Sequence, residues 1–183
     1  MSTDLDKAKE VPPAWVMRRA EFVCAEARLK DREHDQTILY ALRVLSNWVT
    51  VGIDGNSREV KRRNRRVSGN ALRELQELLQ IHSPKETFKI WHKNTTNEHR
   101  DPLQQVWQWL CNETPTANVL LDRLASDKFI TITNEENKQT AQNGHRWKGD
   151  RQARHQHIDP REMPEEVFNA IQIKRRRIKS HNS

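Results

Sequence analysis

Apolar residues recur at helical spacing along most of this chain, and that period constrains the fold more than any other feature. Ile38, Leu42, Leu45 and Val49 stand at i, i+4, i+7 and i+11, which is one stripe of an α-helix. Leu72, Leu75, Leu78 and Leu79 make a second stripe, with Glu74 and Glu77 on the wet side. Trp15, Val16, Phe22, Val23 and Leu29 follow Pro12 and Pro13 and predict a helix over 13–30. Ser83-Pro84-Lys85-Glu86 is a capping box with proline at the first helical position, opening a short helix through Trp91. Asp101-Pro102 opens another, carrying Leu103, Val106, Trp107 and Leu110, and Leu120, Leu121 and Leu124 mark the next. Thr133-Asn134-Glu135-Glu136 is a second capping box, for a helix stopping near Gly144. Met163-Pro164-Glu165-Glu166 starts a last helix through Val167, Phe168 and Ile171.

Strand signals are sparse. Phe129-Ile130-Thr131-Ile132-Thr133 alternates and is β-branched, the one good strand candidate. Only five glycines are present, so few turns needing positive φ can form, which disfavours an all-β fold with many hairpins. Gly52 and Asp54-Gly55-Asn56 close the second helix and make a turn. Residues 57–67 are either a loop or the first turns of the next helix, and 92–100 and 144–161 are polar loops. The expected fold is mainly α: an array of about seven or eight short helices with at most one short strand or small hairpin, ending in a basic C-terminal helix or tail. Residues 1–11 are expected as a disordered lead, 12–143 as a helical core containing the basic segment 57–67, and 144–183 as a polar, basic loop with the C-terminal helix.

The core must be thin. Hydrophobic residues are 34% of the 183 positions and charged residues 31%, but six tryptophans each bury a large area. Trp15, Trp48 and Trp107 fall on apolar stripes and are expected inside. No apolar run reaches the length of a membrane span, and the polar start, Met1 to Glu10, does not resemble a signal peptide. Cys24 and Cys111 form no Cys-x-x-Cys pair and sit in apolar surroundings. These features place the chain in the cytoplasm, or the nucleus of a eukaryote.

The net charge of +7 is unevenly spread. Residues 1–57 carry −1, residues 58–73 carry +6, residues 74–143 carry −3 and residues 144–183 carry +5. One cluster is Arg58, Lys61, Arg62, Arg63, Arg65, Arg66 and Arg73. The other is Lys174, Arg175, Arg176, Arg177 and Lys179. Guanidinium groups hold phosphate oxygens in pairs and stack on bases, and a polyanion relieves the repulsion within such clusters. Trp147 between Arg146 and Lys148 has the form of a base-stacking ring beside phosphate contacts.

Three constellations approach a catalytic or base-reading pattern. His145, His155, His157 and Asp159 include a His-x-His, but Arg151, Arg154 and Arg161 oppose a cation there. Asp54 with Glu59-Val60-Lys61 has the letters of a metal nuclease, at a spacing too short for paired acids on adjacent strands. The helices around Thr114-Pro115-Thr116 suit a helix-turn-helix in order and length, yet the second offers Asp122 and Asp127 beside Asn118 and Arg123. The sequence therefore predicts a non-catalytic protein that needs no cofactor or metal. It would grip the backbone of DNA or RNA with weak sequence preference. The competing expectations are a metal- or histidine-dependent nuclease using the 145–159 cluster, and a helical assembly subunit of a nucleoprotein or multi-protein complex.

Overall fold

A computed structural model describes residues 11–29, 36–99, 102–126, 128–145 (142–145 as backbone alone) and 155–172. Among these residues there are nine helices and four strands. The first half runs α1 (Ala14–Leu29), α2 (Gln36–Val51), α3 (Ser57–Arg63), β1 (Arg66–Ser68), α4 (Gly69–Ile81), α5 (Pro84–Asn94) and β2 (Thr95–Glu98). The second runs α6 (Leu103–Glu113), α7 (Ala117–Ser126), β3 (Ile130–Thr133), α8 (Asn134–His145), β4 (Pro160–Glu162) and α9 (Glu165–Ile171). The fold is mainly α, and no helix among the described residues is long and apolar enough to cross a membrane.

The chain forms two compact units, residues 1–54 with 101–128, and residues 55–100 with 129–183. The helical core expected over 12–143 is thus shared between them. The first unit is helical. Its core takes Val16, Ala20, Val23 and Ala27 from α1, and Ile38, Leu42 and Leu45 from α2. Val106, Trp107 and Leu110 come from α6, and Leu120, Leu121 and Leu124 from α7. Trp15 and Trp48 pack on this core half-buried. Gly52 ends α2 at φ 74, the left-handed backbone that a glycine adopts without steric cost.

The second unit carries a sheet of order β2-β3-β1-β4. β1 runs parallel to β3, with Val67 opposite Thr131, and antiparallel to β4. β2 pairs antiparallel with β3, Thr96 opposite Ile132. Only β3 was expected. β2 lies in the polar loop expected at 92–100, β4 in the one expected at 144–161, and β1 in the segment expected as loop or helix. Three or four residues carry too little alternation to mark a strand, and their backbone hydrogen bonds leave no side-chain signature.

Capping residues set the helix starts. Asn56, Ser68 and Ser83 side chains accept from the backbone N–H of Glu59, Ala71 and Glu86. Thr133 and Glu136 satisfy each other: Glu136 N donates to Thr133 Oγ1 (3.1 Å) and Thr133 N donates to Glu136 Oε2 (2.8 Å). A Cβ at Gly69 would stand 3.1 Å from Asp159 Oδ2, so a larger residue there requires that carboxylate to shift by a few tenths of an ångström. Val67, Ala71, Leu75, Phe88, Trp91, Met163, Val167 and Ile171 form this unit's core. The buried Trp91 indole donates to Ala71 O at 2.8 Å. Trp91→Phe removes this hydrogen bond and part of the buried ring, and urea unfolding is expected to show a loss of about 2 kcal/mol.

Candidate nucleic-acid interface

The basic segment is built on α3. Asn56 caps the helix and leaves Glu59 in its first turn. Three and four residues further along the helix, Arg62 and Arg63 reach back to that carboxylate, at 3.2 and 3.6 Å. The Phe88 ring of α5 lies under two guanidinium groups, Arg62 at 4.5 Å from the ring centroid and Arg58 at 5.9 Å. Phe88 is a core residue of this unit, and nothing in the letters around it marks the cations that lie over its ring. Its second role depends on α3 packing beside α5.

Lys61 lies inside, unlike the surface residue the charge run implied. Only 5% of it is exposed, and its Nζ donates to the carbonyl oxygens of His92 and Thr95. These carbonyls belong to the C-terminal end of α5, where a cation satisfies orphan acceptors and the helix dipole together. No carboxylate accompanies it in these contacts. Burial pulls its pKa down to about 8. His92, whose ring stacks on Phe88, also has its pKa lowered, first by burial and then by the charges of Lys61, Arg58 and Arg62.

Arg65 is also engaged. It meets Glu165 at 2.8 Å and Glu162 at 3.6 Å, donates to Met163 O, and lies over the Phe168 ring at 5.0 Å. It ties the strand segment to α9. What remains at the surface is Arg58, Arg63, Arg66 and Arg73. Arg146, Trp147, Lys148, Lys174, Arg175, Arg176, Arg177 and Lys179 lie outside the described residues.

The described members of the histidine cluster turn to different partners. His155 Nε2 faces Glu98 Oε1 at 3.4 Å. His157 Nε2 sits 3.0 Å from Glu136 O and 3.2 Å from Thr140 Oγ1. Asp159 pairs with Arg161 at 2.7 Å, and its backbone carbonyl accepts from Gly69 N. The His145 side chain lies outside the described residues. No group of three or more His, Cys, Asp or Glu side chains among the described residues could hold a metal ion.

The other constellations do not converge either. Glu59 is engaged by arginines and Lys61 by α5, while Asp54 is exposed. On α7, Leu120, Leu121 and Leu124 are buried and Arg123 lies 4.2 Å over the Trp109 ring. The face it shows to solvent is Asn118, Val119 and Asp122, which suits no base-reading helix. Compared with known proteins, the chain matches no family model, and no similar curated protein or solved structure was found.

Proposed function

We propose that this chain is a non-catalytic nucleic-acid-binding protein that holds a phosphate backbone through the α3–β1 segment. One observation carries the reading. After Lys61, Arg62 and Arg65 are drawn into internal contacts, Arg58, Arg63, Arg66 and Arg73 still stand exposed within one short stretch. The only acid of that stretch is Glu59. Lys61 drops out of the contact set, and Arg62 and Arg65 act as supports. The Phe88 ring under Arg58 restricts that side chain, so less rotamer entropy is lost on its contact with phosphate. The 174–177 run and Arg146-Trp147-Lys148 belong to the same proposal as further contacts. Neither Cys24 nor Cys111 is held in a disulfide, which suits a reducing compartment such as the cytoplasm or nucleus.

Contact through phosphates predicts binding to DNA or RNA with weak sequence preference and a steep salt dependence. Fluorescence anisotropy with mixed-sequence duplex and single strands, from about 50 to about 200 mM salt, tests it. Arg63→Ala with Arg66→Ala is expected to weaken binding and lower the salt slope by about 1–2. Lys61→Met is expected to leave that slope unchanged, since its ammonium never reaches a phosphate. A flat salt dependence for the unaltered chain contradicts the proposal.

A further inference from the structure

Helix α1 is apolar on two sides. Val16, Ala20, Val23 and Ala27 face the core and are fully buried. At 100° per residue, Trp15, Phe22 and Leu29, seven residues apart, make a second row turned about 130° from the core face. Phe22 is 42% exposed and Leu29 63%, while Trp15 is half-buried beneath the Arg19 guanidinium. Arg18 and the exposed Ala25 complete a heptad seam of Trp15, Arg18, Phe22, Ala25 and Leu29. Phe22 and Leu29 are thus large apolar side chains left on a solvated helix face, with Trp15 at the edge of the core completing their row.

The charges beside this seam point to its occupant. Arg19 and Glu26 flank it on one side, Glu21 and Arg28 on the other, each pair seven residues apart. We infer that the solvent face of α1 pairs antiparallel with the same helix of a second copy of this chain. The two-fold axis would pass between Val23 and Cys24. That register sets Arg19 against Glu26 of the second copy and Glu21 against Arg28, each pair formed twice by symmetry. Phe22 then meets the small Ala25, and the Arg18 stem lies along Leu29. Parallel pairing would set Glu21 against Glu26, acid against acid, so the pattern favours one orientation. A single pair of 16-residue helices covers less than the roughly 1,200 Å² of a standard interface, so the dimer is expected in the micromolar range. This inference rests on no part of the nucleic-acid reading.

Sedimentation equilibrium of the full chain from about 1 to about 200 µM tests it, a range chosen to span that affinity. The mass should rise toward that of a dimer. Phe22→Glu should abolish the rise. Arg19→Glu should weaken association about tenfold by placing two acids together, and adding Glu26→Arg should restore it, because the exchanged charges again meet across the two-fold axis. The restored double variant also shows that the single one had not merely misfolded. A wild-type chain that stays monomeric throughout overturns the inference. So does an assembly indifferent to Phe22→Glu, or a double variant as weak as Arg19→Glu.

Discussion

Glu136→Ala is expected to lower the unfolding free energy by about 3–5 kcal/mol, the largest effect of any single substitution outside the apolar cores. The Glu136 side chain is buried at the start of α8. Its Oε2 accepts from Ser68 Oγ at 2.6 Å, from Thr133 N at 2.8 Å and from Thr133 Oγ1 at 3.1 Å. Its Oε1 accepts from Asn70 Nδ2 at 3.1 Å. One carboxylate therefore closes the capping box of α8 and orients Ser68, the residue that caps α4. Removing it leaves the buried Ser68 hydroxyl and the part-buried Thr133 N–H without their carboxylate acceptor, at the starts of two helices. Hydrogen bonds to a charged acceptor are worth about 1.5–3 kcal/mol each, but they share one desolvation cost and do not add. Urea unfolding monitored by circular dichroism measures the difference. A change below about 1 kcal/mol would contradict the role assigned to this carboxylate.

Stability is expected to rise as pH increases from 8 to 10.5, because of Lys61. Its pKa is about 8 in the folded protein against an ordinary value of 10.5. Between these values the unfolded chain binds more protons than the folded one, so raising the pH favours folding. Below pH 8 both states carry the charge and the burial penalty stays constant; above 10.5 it is gone. The shift corresponds to at most about 3 kcal/mol. Lys61→Met keeps most of the volume and removes the titrating group. The two proteins should therefore diverge across this window, with the wild type gaining stability relative to the variant. Comparison between them cancels what both proteins share, including the Cys24 thiol, whose pKa burial pushes up. Parallel curves for both proteins would mean that the Lys61 ammonium is solvated.

The helices were legible because their evidence is local. Ser83 and Thr133 cap where their capping boxes placed them, and the leucine stripes of α2, α4 and α7 turn inward. Of the strands only β3 was legible, through the alternation at 129–133. Thr95–Glu98 is a polar tetrapeptide that becomes β2 only because Ile130–Thr133 lies beside it. Thr131 is buried and still satisfied, its hydroxyl donating to Asn97 Oδ1 and accepting from Asn64 Nδ2. Each of these partners is far away in the chain, and none is implied by the letters around it.

The basic segment divides in the same way. Seven cations crowd residues 58–73, and that much is plain from composition. Their fates depend on neighbours that arrive from elsewhere: the carbonyls at the end of α5 take Lys61, Phe88 underlies Arg58 and Arg62, and α9 brings Glu165 to Arg65. Periodicity and caps are properties of consecutive residues, so they decide where helices start, end and turn their apolar sides. Whether a cation meets solvent, a ring or a carbonyl depends on which segments pack together, and only the folded chain sets those distances.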